Sequence, residues 1–249
     1  MKTIIANFKM NKTCSQTKDY LMKLVSSYDG KNEVVIALPY TSLALGSLML
    51  SGKENLKLGA QNLADEEEGK NTGEISGNML KEVGVDTVIV GHSERRAKFK
   101  ENGKSINKKI KIALKNAMRV ILCIGESELD KKCGKESEVL KKQLEEALSG
   151  LYENELERIF IAYEPVWAIG TDQSASMRDV EKAVKIIKGV VKENFSKKAA
   201  DELNIVYGGS VNTRNANLFC GCNGICGLLV GRDCLDANNF LKLLSSISK

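Results

Sequence analysis

The chain has 249 residues, 43% of them hydrophobic and 28% charged, a balance that excludes the disordered and fibrous classes. Its net charge of +5 comes from 37 basic residues interleaved with 32 acidic ones, and aromatics make up 5%, so no basic tract with interleaved aromatics points to nucleic acid. No window approaches the roughly 20 apolar residues that span a bilayer, and Met1 to Asn7 is too brief for a secretory signal, so a cytosolic protein with no membrane partner is expected.

Short β-branched runs alternate with helical stretches along the chain, the pattern of parallel strands joined by crossover helices. Strands are predicted at Thr3 to Phe8, Val34 to Leu38, Leu56 to Ala60, Thr87 to Val90, Val120 to Ile124, Ile159 to Tyr163, Ile205 to Tyr207 and Leu228 to Val230. Helical spacing of apolar residues follows, as in Asp19 to Val25 and Val180 to Lys188, and the final helix is predicted over Asn239 to Ile247. Val88-Ile89-Val90, Val120-Ile121-Leu122 and Leu228-Leu229-Val230 are apolar throughout, as strands covered on both faces are. Eight strand–helix units in this length suit an α/β fold, a closed barrel of eight parallel strands forming one domain over residues 1–249. A doubly wound sheet would bring a G-x-G-x-x-G turn, which is absent, as are the Walker lysine loop, the zinc-protease helix and the nucleophile elbow.

Cysteines stand at 14, 123, 133, 220, 222, 226 and 234, an odd count in a chain long enough to build its own core, so disulfide scaffolding is not indicated. Cys220, Cys222 and Cys226 are close enough in sequence to hold zinc or an iron–sulfur cluster, but the spacing matches no common ligand pattern and no histidine is near. Reduced thiols in a turn are the default, and no metal is expected.

In such a barrel the loops after the strands line the face where active sites are built. Those loops carry Asn7 and Lys9, then His92 and Glu94, then Glu164, then Gly208-Gly209-Ser210 and Gly231. His92 is the single histidine, so any histidine chemistry passes through it; the alternative is a core-edge ring satisfied by a hydrogen bond. Glu164 ends an apolar strand beside Pro165-Val166-Trp167, where desolvation favours a base, although a salt bridge would use the same residue. Pro165, Val166, Trp167, Ala168, Ile169, Gly170, Thr171, Asp172, Gln173, Ser174 and Ala175 have the small, apolar composition of a flexible lid that excludes water. The late glycines let main-chain N–H groups approach an anion such as phosphate, or simply punctuate turns.

Several colinear blocks together resemble one family, triosephosphate isomerase. They are Asn7-Phe8-Lys9, Ala60-Gln61-Asn62, Thr72 to Ser76, Gly91 to Arg96, Cys123-Ile124-Gly125-Glu126, Ala162 to Thr171 and Tyr207 to Val211. The resemblance implies a TIM barrel that interconverts dihydroxyacetone phosphate and D-glyceraldehyde 3-phosphate through an enediolate, with no cofactor, in glycolysis and gluconeogenesis. It implies Glu164 as the base that moves a proton between adjacent carbons and His92 as a neutral imidazole serving the two oxygens. Lys9 and Asn7 would stabilise developing negative charge, and main-chain N–H groups of Gly170, Ser210, Gly231 and Arg232 would hold the phosphate. Glu94 is a further catalytic candidate, handling a proton or orienting Lys9. A homodimer is implied through the loop around Thr72 and Glu74, reaching a neighbour near its Asn7 and Lys9.

Three departures from the family pattern stand out. Arg232 replaces a second glycine after Gly231, which puts a left-handed backbone there in question, and its side chain is expected to point to solvent. Asp172 follows the lid threonine where a glycine is usual, and is expected to stay outside the phosphate contacts. Lys70-Asn71 and Glu66-Glu67-Glu68 add charge to the dimer loop, so a weaker dimer is expected. Two other classes stay open, a different phosphate-binding barrel enzyme and a non-catalytic binding role on the same fold.

Overall fold

The computed structural model describes residues 1–170 and 174–247. Eight parallel strands close a barrel in chain order: β1 (Thr3–Asn7), β2 (Glu33–Leu38), β3 (Leu56–Ala60), β4 (Thr87–Val90), β5 (Arg119–Ile124), β6 (Ile159–Tyr163), β7 (Asn204–Tyr207) and β8 (Gly227–Val230). β1 pairs with β8 to complete the ring, with Thr3 opposite Gly227 and Ala6 opposite Val230. Around it lie α1 (Cys14–Ser27), α2 (Leu43–Leu50), α3 (Gly77–Glu82), α4 (Ser93–Lys98), α5 (Gly103–Lys115), α6 (Glu128–Lys132), α7 (Glu136–Leu148), α8 (Met177–Asn194), α9 (Lys197–Glu202), α10 (Ala216–Cys220) and α11 (Ala237–Ile247).

The predicted strands are all present, and their ends differ by at most one residue at each end. β2, β5, β7 and β8 each begin one residue earlier than the apolar runs, at Glu33, Arg119, Asn204 and Gly227. A polar or small residue at the foot of a strand still joins the ladder through its main chain, as Glu33 N does to Lys2 O and Arg119 N to Asp86 O. β1 stops at Asn7 rather than Phe8 because the chain then turns through Lys9, whose φ is +50°. The last helix starts at Ala237, two residues before the predicted Asn239.

Side chains alternate across each strand, so the barrel has two apolar layers. Ile5, Val35, Ile89, Ile121, Phe160, Val206 and Leu229 fill the interior, while Ile4, Val34, Val88, Val120, Ile161 and Leu228 pack outward against the helices. The same parity sets the mouth. Asn7 lies two residues after Ile5, Glu164 two after Ala162, Gly208 two after Val206 and Gly231 two after Leu229, and each of these residues lines the cavity at the barrel mouth. The opposite rim is tied by Arg119, which bridges Glu33 at 2.8 Å and Asp86 at 2.6 Å.

All seven cysteines are free thiols. Cys220, Cys222 and Cys226 surround the turn from α10 to β8, and among the described residues no three His, Cys, Asp or Glu side chains converge as a metal site. Burial pushes the Cys220 thiol up to about 11 and holds those of Cys123, Cys222, Cys226 and Cys234 above the ordinary range, whereas Cys14 and Cys133 are exposed. A thiol reagent added to native protein near neutral pH should therefore titrate two cysteines quickly and the other five only on unfolding. Four or more fast thiols would contradict this arrangement.

Candidate active site

A cavity of about 400 Å³ opens at the C-terminal ends of the strands, lined by residues that include Asn7, Lys9, His92, Glu164, Gly170, Ser210, Gly231 and Arg232. The loops after β1, β4, β6, β7 and β8 thus bring together the residues singled out from the sequence.

Glu164 is 1% exposed, and a buried carboxylate left unpaired would cost several kcal/mol. Here both oxygens are engaged. Oε1 accepts from the Ser93 N–H at 2.7 Å, and Oε2 lies 3.3 Å from His92 Nε2. Ser93 is the first residue of α4, so its N–H is one of those a helix leaves without an internal partner.

His92 caps the same helix. Its Nδ1 accepts from Glu94 N at 3.2 Å, and an accepting Nδ1 carries no hydrogen, which leaves the ring hydrogen on Nε2, aimed at Glu164. One short helix therefore orients the Glu164 carboxylate through Ser93 and fixes the tautomer of the imidazole through Glu94. The ring is 6% exposed, against the walls of the barrel mouth.

Lys9 reaches across from β1. The Asn7 side chain accepts from Lys9 N at 2.9 Å, stabilising a left-handed backbone that costs a non-glycine residue roughly 1 kcal/mol or more. The Lys9 Nζ then meets Glu94 Oε1 at 2.7 Å. Partial burial works against the ionised form of Glu94, but the Lys9 hydrogen bond and the fields of Lys9 and Lys98 outweigh it, so its carboxyl is held below the usual carboxylate range.

At the far end of the cavity the chain comes close to itself. Gly209 has no room for a side chain, because a Cβ there would drive into the Tyr207 hydroxyl. Gly231 takes φ −99° and ψ −97° and leads into a short 3₁₀ turn, Arg232–Cys234. Arg232 is outside the left-handed region, so the doubt about an arginine at this position has no backbone basis. Its side chain is exposed as expected but does more than face solvent: Nη2 donates to the Gly170 carbonyl at 2.8 Å.

The predicted lid segment is anchored at both ends. Pro165 begins it, buried, ahead of a 3₁₀ turn over Val166–Ala168, and Trp167 Nε1 donates to Glu126 at 2.8 Å. Glu126 also accepts from the Tyr163 hydroxyl at 3.1 Å, and the Lys131 ammonium sits 3.6 Å from the centre of the Trp167 ring. Ile169 is half-buried and Gly170 exposed, with φ +70°. Beyond it, Ser174 is exposed, and Ala175 N donates to the Tyr207 hydroxyl at 3.1 Å. Thr171, Asp172 and Gln173 lie outside the described residues.

Several participants had no role read from the sequence, although Ser93, Arg95, Gly125 and Asn62 stand in its family-like blocks. Ser93 contributes a main-chain N–H, which every residue but proline has. Gly125 is required because a Cβ would strike the Glu164 carbonyl oxygen. Beneath Lys9, Arg95 and Lys109 both meet Glu101, and Lys109, 4% exposed, also reaches Asn62 at 2.8 Å. Their separations in sequence, 6, 8 and 47 residues, follow no motif.

A carboxylate, an imidazole and a lysine thus converge at one side of the barrel mouth and the loops after β6, β7 and β8 at the other, an arrangement suited to an enzyme that moves a proton on a small substrate. Comparison with known proteins agrees. The model of the triosephosphate isomerase family matches residues 2–247. The triosephosphate isomerase of Dictyoglomus thermophilum is 42% identical over 247 residues, covering 98% of this chain and 99% of that one. Those of Alkaliphilus oremlandii and Streptococcus gordonii are 41% and 39% identical, each over 98% of this chain and over 99% and 97% of their own lengths. The chain belongs to the triosephosphate isomerase family, and its reaction is the interconversion of dihydroxyacetone phosphate and D-glyceraldehyde 3-phosphate in glycolysis.

Two outcomes follow from this geometry. Gly125→Ala should displace the Glu164 main chain and lower kcat by about 100-fold, as small misplacements of a base do, with the barrel still folded by circular dichroism; a kcat within threefold of wild type would show that the base is not held through this contact. The folded Glu94 carboxyl lies below its unfolded value, so its stabilising effect is present above the unfolded value and lost as pH falls through the folded one. The melting-temperature difference between wild type and Glu94→Gln should accordingly shrink between about pH 6 and pH 3, and a pH-independent difference would contradict it.

Proposed function

We propose that Glu164 is the base of this isomerisation. It takes a proton from the carbon beside the carbonyl of dihydroxyacetone phosphate, the electron pair moves onto the carbonyl oxygen to give an enediolate, and the proton returns to the neighbouring carbon. The observation that carries the reading is the approach of Glu164 Oε2 to His92 Nε2 at 3.3 Å inside the cavity that the glycine cradle also lines. Burial supports the choice of Glu164, since a carboxylate only 1% exposed is shielded from water that would compete with a substrate for it.

His92, with its hydrogen on Nε2, donates to the substrate oxygen that gains charge and passes protons between the two oxygens. Lys9 adds positive charge to the same oxygens, and Asn7 holds Lys9 in place while its amide faces the cavity. Glu94 orients Lys9 through the 2.7 Å pair. The phosphate rests against main-chain N–H groups of Gly170, Ser210, Gly231 and Arg232, all at one end of the cavity. The segment from Pro165 to Ala175 serves as the lid, supported by its anchorage at Trp167 and Ala175. Each step is assigned to a group of the chain itself, and residues 1–249 act as one catalytic domain.

The working form in this reading is a homodimer. A second cavity of about 360 Å³ adjoins the first, lined by Asn7, Lys9, Met10, Tyr40 and Phe99 among others. Met10 is 98% exposed and Phe99 64%, apolar surface that a neighbour's loop around Thr72 and Glu74 would cover. Thr72 and Glu74 are themselves exposed. A cytosolic location belongs to the same proposal, and the seven free thiols suit a reducing compartment.

Purified protein should isomerise D-glyceraldehyde 3-phosphate with no metal or nucleotide added, and Glu164→Asp and His92→Gln should each lower kcat by about 100- to 10,000-fold. Folded variants that keep kcat within tenfold of wild type would remove these residues from the chemistry. Sedimentation at micromolar concentration should give a dimer, and a monomer alone would overturn the dimeric form.

A further inference from the structure

The two segments that face the phosphate end of the cavity come from opposite parts of the chain, the loop after β6 and the loop after β8. Within the β8 loop the main chain bonds to itself, Cys234 N to Gly231 O and Leu235 N to Arg232 O. A side chain crosses between the two loops. Arg232 Nη2 donates to the Gly170 carbonyl at 2.8 Å across 62 residues of sequence.

The position of this bond matters for the anion. Gly170 and Arg232 both line the cavity, and the Gly170 backbone takes φ +70°, a conformation open to glycine. The bond holds the Gly170 carbonyl against the β8 loop. A guanidinium remains protonated at all working pH values, so the same contact sets a permanent positive charge in the cavity wall where a phosphate dianion would lie. Lysine would supply the charge without the planar fork, and an uncharged donor such as glutamine would supply a bond without the charge.

We infer that the Arg232 side chain, beyond the main-chain N–H of the same residue, determines specificity for the phosphate group: it registers the Gly170 peptide against the β8 loop and adds a cation to the anion cradle. The inference rests on the isomerase reading above, deepening it at the phosphate end.

The test compares wild type with Arg232→Met, Arg232→Gln and Arg232→Lys on D-glyceraldehyde 3-phosphate and on unphosphorylated D-glyceraldehyde, alongside binding of inorganic phosphate alone by titration calorimetry. The expected result is an about tenfold fall in the ratio of kcat/KM for the phosphorylated over the unphosphorylated substrate in Arg232→Met, carried mainly by KM, with phosphate binding weakened in proportion. Arg232→Gln and Arg232→Lys should fall between, each restoring one of the two contributions. A ratio and a phosphate affinity within twofold of wild type in Arg232→Met would overturn the inference, and so would equal losses on both substrates, which a merely structural role would produce. Phosphate calorimetry reads the cradle without any turnover, so failure of this inference is distinguishable from failure of the catalytic assignment, which would appear as an inactive wild type.

Discussion

The site depends on satisfying one buried carboxylate inside a protein wall. Glu164 is as buried as the core around it, and it is tolerated there because the Ser93 N–H and the His92 ring supply the contacts that water would otherwise make. That constraint fixes the start of α4 relative to the end of β6. Arg96 reinforces the junction from the next turn of the helix, donating to Gly91 O at 2.7 Å and Cys123 O at 2.9 Å, so that the ends of β4 and β5 and the helix between them move as one unit. Gly125 completes the arrangement by letting the β5 loop pass directly against the Glu164 main chain.

Polar groups at the mouth are linked in pairs, each fixing the position of its members. Glu94 holds Lys9 by its side chain and His92 by its main-chain N–H, so the cation and the imidazole are set by neighbouring atoms of one residue. On the other side, Glu126 receives both Tyr163 and Trp167, and Lys131 lies over the Trp167 ring while also meeting Asp179 at 3.0 Å. These contacts hold the start of the segment after β6 from outside the cavity.

Much of this was legible in the sequence because a parallel barrel imposes a simple rule. Apolar triplets such as Val88-Ile89-Val90 mark strands covered on both faces, and the residue two steps beyond the last interior side chain faces the mouth. Asn7, Glu164, Gly208 and Gly231 follow from that parity, and Lys9 and His92 from the loops, each two residues beyond the end of its strand. What stayed hidden depends on contacts between distant segments. The Ser93 contribution is a main-chain N–H with no side-chain signature, Gly125 matters only through a carbonyl 39 residues away, and the Arg232 contact with Gly170 requires the register of β6 against β8. Composition could not decide between Arg232 as a surface cation and as a bridge, since the residue is exposed in either case.

The central claim is that the isomerisation proceeds by proton transfer through Glu164. The most direct measurement is turnover of dihydroxyacetone phosphate in deuterium oxide, with the D-glyceraldehyde 3-phosphate product examined by proton NMR and mass spectrometry. The account predicts deuterium at carbon 2 of the product formed by wild type and no measurable exchange or product from Glu164→Gln. Product that retains only protium at carbon 2, or deuterium incorporation that persists in Glu164→Gln at the wild-type rate, would contradict it.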